Sequence, residues 1–108
     1  MTEVDNELFQ LIEAVKHSKT YVEYDRARVT LKSEPELLER VNNYREENFK
    51  LQNSVDDGTL YDRIDKFETE NKELSEEPRV RAFLNAELAL CRMLQEISEG
   101  VVEGINFE

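Results

Sequence analysis

Helix breakers are scarce in this chain. Three glycines and two prolines are spread over 108 residues, too few for sheets built on tight turns, which draw on those residues at defined positions. Between the breakers, apolar residues recur at steps of three and four, the spacing of an amphipathic helix. The charged fraction reaches 36%, yet 39% of residues are hydrophobic and fall on that spacing. The balance predicts a folded helical domain rather than a disordered one.

Breaks at Ser18, Ser33, Asp57-Gly58 and Ser75 mark out five helical segments. In the first, about Asp5 to His17, Val4, Leu8, Leu11, Ile12 and Val15 form one stripe. In the second, about Lys19 to Lys32, the stripe is Tyr21, Tyr24, Ala27 and Leu31. Ser33-Glu34-Pro35-Glu36 reads as a capping box with Pro in the first turn. It opens a third helix in which Leu37, Val41, Tyr44, Asn48, Leu51 and Val55 step by four and three. Gly58 supplies the left-handed residue a helix exit favours. A fourth helix, capped by Thr59 with Asp62, repeats the pattern with Leu60, Ile64, Phe67, Asn71 and Leu74.

Two such segments joined by a short turn fold back as an antiparallel αα-hairpin. Counting outward from Asp57-Gly58 places Leu51 near Ile64, Asn48 near Phe67 and Tyr44 near Asn71, with a Tyr44–Asn71 hydrogen bond as a by-product. Asn48 and Asn71 would set register, since a polar residue in an apolar seam fixes alignment at some cost in stability. The fifth helix opens at Ser75-Glu76-Glu77-Pro78 and runs to Gly100 or Gly104. Its apolar face is the widest in the chain: Val80, Phe83, Leu84, Leu88, Leu90, Cys91, Leu94, Ile97, Val101 and Val102. So wide a face needs more than one neighbour, the N-terminal helices on one side and another chain on the other.

The expected fold is therefore all-α: a helical bundle of about five helices, with a long antiparallel αα-hairpin and a long C-terminal helix, oligomeric. It is read as a single domain over 1–108, with two short helices in 1–33, the hairpin in 34–75 and the C-terminal helix in 76–104. Phe83, Leu90, Leu94, Ile97 and Val101 are the expected oligomer seam.

Charge narrows the function classes. With 14 basic and 25 acidic residues the formal net charge is −11. That opposes direct binding of a nucleic-acid backbone or an anionic membrane surface, both of which need Lys and Arg. No apolar run approaches the length of a membrane span. The opening MTEVDNELFQ lacks the basic and apolar regions of a signal peptide. A cytoplasmic setting is expected, since Cys91 is the single cysteine and an intrachain disulfide is impossible.

No catalytic constellation can be assembled. His17, the lone histidine, falls at a helix end, where a cation suits the dipole; a nucleophile–base pair or zinc site needs more. Cys91, on an apolar face, reads as a buried structural thiol, and a metal cluster would need thiolates pooled from several chains. Glu46-Glu47 reads as a solvated face, Asp56-Asp57 as a turn, and Glu76-Glu77 as a helix start. Arg26, Arg28 and Lys32 form a small basic patch, either a solvated face with i,i+4 partners or a docking patch.

Several stretches resemble the YlbF/YmcA family of small helical bacterial regulators. They are Ser18 to Tyr24 (SKTYVEY), Ser33 to Leu37 (SEPEL), the run from Ser75 to Ile97, and the ending EGINFE. The block from Phe83 to Ile97 is the most specific. The resemblance implies a helical, self-associating protein linked to competence, sporulation and biofilm development. It also implies a complex that modulates the membrane-associated endoribonuclease Y and messenger RNA processing. Some members carry iron–sulfur clusters on cysteines, and this chain offers Cys91 alone.

The expectation is a regulatory adaptor without enzymatic activity or resident cofactor. It would act by docking on copies of itself and on other regulatory proteins. The alternatives are a cofactor carrier with Cys91 of several chains holding a metal or iron–sulfur site, and a purely structural oligomer.

Overall fold

The computed structural model describes residues 2–55 and 57–106. Among them the chain forms six helices and no strand: α1 (Glu3–Lys16), α2 (Lys19–Lys32), α3 (Pro35–Gln52), α4 (Leu60–Glu70), α5 (Lys72–Glu76) and α6 (Pro78–Gly104). The all-α expectation holds. The sixth helix arises because the expected fourth is interrupted at Asn71, whose side-chain Nδ2 donates to the Phe67 carbonyl at 2.8 Å. That amide occupies a carbonyl at the end of α4, and α5 begins one residue on.

Helix starts depart from the expected caps. The Ser33 hydroxyl donates backwards to the Thr30 carbonyl at 2.6 Å, and Glu34 takes the N-cap position of α3, whose start has no side-chain cap. Thr59 likewise gives its hydroxyl to Asp57, at 2.5 Å, and does not cap α4. The capping box that does form is at α1: the Thr2 hydroxyl accepts from Asp5 N–H and the Asp5 carboxylate accepts from Thr2 N–H, both at 3.1 Å. At α6, Glu77 rather than Ser75 takes the free donors. One Glu77 carboxylate oxygen accepts from the N–H groups of Arg79 (2.8 Å) and Val80 (3.0 Å).

The chain divides into two compact units, Met1–Arg28 with Phe83–Glu108, and Val29–Ala82. Among the described residues of the second unit, Leu31, Val41, Leu74 and Val80 are the buried side chains. Each such burial contributes about 1.5–3 kcal/mol. Here α3 and α4 form the antiparallel hairpin, and its register differs from expectation by one helical turn. Tyr44, not Asn48, lies against Phe67, with ring centroids 5.1 Å apart and planes at 23°. The cause is the end of α3. It stops at Gln52, where Asn53 Nδ2 donates to the Phe49 carbonyl at 2.8 Å and the Ser54 hydroxyl to the Leu51 carbonyl at 2.7 Å. The midpoint of the connection therefore falls near position 56, not at Asp57-Gly58. Gly58 keeps its left-handed conformation (φ +94°) within the connection. The expected Tyr44–Asn71 hydrogen bond does not form, because the shifted register puts Tyr44 against Phe67 instead.

Glu77 also holds the Arg79 side chain, its second carboxylate oxygen accepting from Nε at 2.8 Å, and Arg79 Nη1 reaches Glu34 at 3.3 Å. This chain of charges links the start of α6 to the start of α3. The hydrogen bonds from Arg79 and from the N–H groups outweigh partial desolvation and hold the Glu77 carboxyl below its ordinary value. Of the acidic pair at the turn, Asp57 accepts from the Thr59 N–H at 3.0 Å as a turn residue; Asp56 lies outside the described residues.

Candidate docking groove

The first unit brings together α1, the opening of α2 and most of α6. Among its described residues the one buried side chain is Phe83, 3% exposed, against Tyr24 with ring centroids 5.7 Å apart. Tyr24 in turn lies 6.3 Å from Tyr21. Phe83 is therefore a core residue and drops out of the expected oligomer seam: an aromatic already enclosed within its own unit has little surface left for another chain.

Beyond Phe83, α6 diverges in character. Leu90, Leu94 and Ile97 face the α1 stripe of Leu8, Leu11, Ile12 and Val15, and together with Tyr21 and Lys16 they line an open groove of about 390 Å³. On α1 the wall residues fall at i, i+3, i+4 and i+7; on α6 they fall at i, i+4 and i+7. The groove is open enough to leave Leu8 53% and Leu94 49% exposed. Val4, Phe9, Val101 and Ile105 are exposed as well. An open groove with apolar walls of this kind is a candidate interaction site. The α1 wall was legible as a helical stripe, but sequence alone assigned it to intramolecular packing.

The other candidates separate. Cys91 is exposed, not buried as its apolar neighbours suggested. One thiol does not fit a cluster that takes several thiolates, and no group of three or more His, Cys, Asp or Glu side chains suited to a metal ion occurs among the described residues. His17 ends α1, its ring Nδ1 at 2.6 Å from the Glu13 carbonyl. Arg28 is engaged within its own unit. It pairs with Asp25, which holds the guanidinium above its ordinary value, and lies 5.7 Å over the Tyr24 ring. Arg26 and Lys32 are exposed on α2. In the second unit Asn48 is half-buried on α3, and Asn71 serves α4's end as described.

No described helix is long and apolar enough to cross a membrane. No curated protein and no solved structure shows significant similarity to the chain. The family model for YlbF/YmcA, described as control of the competence regulator ComK, matches residues 4–106, nearly the whole chain. The chain belongs to the YlbF/YmcA family of regulators.

Proposed function

We propose that this protein is a regulatory adaptor without catalytic activity, and that it works by seating a helix of a protein chain in the groove between α1 and α6. One observation carries this reading: two facing apolar walls with leucines half exposed on each. Such a groove recognises an amphipathic helix, whose anchors recur at the same i, i+3, i+4 and i+7 spacing. The occupant can be a second copy, the seam expected from the sequence, or a different regulatory protein. The family's role in competence control supports a regulatory setting. A link to endoribonuclease Y and messenger RNA processing belongs to the same proposal.

A quantitative pull-down from native lysate tests it, with wild type, Leu94→Asp and Tyr61→Asp as baits. Tyr61 is exposed on α4, in the other unit. The reading predicts partners held by wild type and Tyr61→Asp and lost with Leu94→Asp. An unchanged set with Leu94→Asp contradicts it.

A further inference from the structure

We infer that α6 carries a second docking stripe, on a face other than the groove, and that this stripe pairs antiparallel with the same stripe of a second copy. The inference stands independently of the groove, and either can fail alone.

The stripe is Leu88, Cys91, Gln95, Ser98, Val102 and Ile105. Its members follow one another in steps of three and four, the spacing of a coiled-coil seam. The helix holds them on one face as far as Ile105, whose N–H donates to the Val101 carbonyl at 3.1 Å, and the chain leaves at Asn106 with φ 54°. At 3.6 residues per turn this face lies about 100° around the helix from Leu90, Leu94 and Ile97. It is open: Leu88 is 50%, Val102 44% and Ile105 67% exposed, and Cys91, Gln95 and Ser98 are exposed too.

The order of residues selects the occupant. From either end the stripe reads apolar, apolar, polar, and its two polar members meet at the centre. A twofold interface sets one patch against itself. With the axis between Gln95 and Ser98, Leu88 faces Ile105 of the second copy, Cys91 faces Val102, and Gln95 faces Ser98. Every apolar residue then meets an apolar one, and the polar layer fixes the register. Sliding by one heptad puts Leu88 on Ser98 and Cys91 on Gln95, and brings the two Arg92 side chains together.

The charges agree with this register. Between Leu88 and Ile105 the charged residues are Arg92, Glu96, Glu99 and Glu103. Arg92 and Glu99 follow Cys91 and Ser98 and flank the stripe on the same side, while Glu96 and Glu103 lie further round the helix. Antiparallel pairing sets Arg92 of each copy beside Glu99 of the other, a contact repeated across the axis. Among the described residues Arg92 makes no ion pair within its own chain. A parallel pair offers Glu99 no cation, since its neighbour across the seam is Leu94, and it aligns the two helix dipoles.

Sedimentation and thiol cross-linking of the full-length protein test this. Expected are a dimer at high micromolar concentration and a monomer for Leu88→Asp. Arg92→Glu should weaken the dimer about tenfold, and adding Glu99→Arg to the same chain should restore it. Under diamide, Val102→Cys should cross-link through the native Cys91, because positions 91 and 102 lie opposite one another. Wild type should not, since its two Cys91 residues sit about 16 Å apart along the helices and a disulfide needs Cα atoms within about 7 Å. Val102→Asp repeats the dimer test should Leu88→Asp lose helix content by circular dichroism. Cross-linking of wild type, or no recovery by the charge swap, overturns the antiparallel register. A dimer untouched by Leu88→Asp and Val102→Asp overturns the stripe. A monomeric wild type at that concentration overturns the pairing itself.

Discussion

Tyr44 stacks on Phe67 across the hairpin, with ring centroids 5.1 Å apart and planes at 23°. Offset aromatic pairs contribute about 0.5–1.5 kcal/mol beyond the area they bury. A double-mutant cycle with Tyr44→Leu and Phe67→Leu, read by urea denaturation, should return a coupling energy of about that size. A coupling indistinguishable from zero means that the stacked rings contribute nothing beyond the area they bury.

Phe83 and Leu94 sit eleven residues apart on one helix and should behave oppositely. Phe83→Ala empties a buried site and should cost about 3–5 kcal/mol. Leu94→Ala removes a half-exposed side chain and should cost less than about 1 kcal/mol of stability. Thermal unfolding of both variants gives the comparison. A large loss for Leu94→Ala would place that side chain in the core.

The Glu77 carboxyl is held below its ordinary value of 4.5. A carboxylate with a depressed folded-state pKa stabilises the fold above its unfolded pKa, and that contribution disappears as pH falls through the folded one. Denaturation midpoints should therefore fall as pH drops below about 4.5, and Glu77→Gln should reduce the dependence. Parallel pH profiles for wild type and Glu77→Gln would deny Glu77 this role.

Cys91 is exposed and should react with a maleimide in the native monomer, at high dilution, at a rate close to that of the urea-unfolded chain. Strong protection in the native monomer would restore the buried thiol read from its apolar neighbours.

These comparisons show where sequence reasoning reached and where it stopped. Helical periodicity placed α1, α2 and the long α6 within a few residues, because each has an apolar stripe bounded by a local break. Connections were harder, because short polar side chains have two uses. Ser33 could cap the next helix or bond back to Thr30, and it bonds back. Asn71 could sit in a seam or end a helix, and it ends one. The Thr2-x-x-Asp5 box was written in the sequence and announces the start of α1. The hairpin register slipped by one turn because Asn53 and Ser54 take the last carbonyls of α3 before Gly58 is reached. Periodicity also assigned a face to each apolar residue without ranking burial along it. Phe83 and Leu94 share the α6 face, yet only Phe83 meets an aromatic partner in Tyr24. The groove was half legible: its α6 wall came from the over-wide apolar face, and its α1 wall was read as packing.

Replacing the host's own copy by Leu94→Asp tests the central claim most directly, with output of the competence regulator as the readout and protein level measured in the same cells. If regulation runs through the α1–α6 groove, output should match that of a strain lacking the protein while the variant accumulates normally. Wild-type output from a normally abundant Leu94→Asp protein would contradict it.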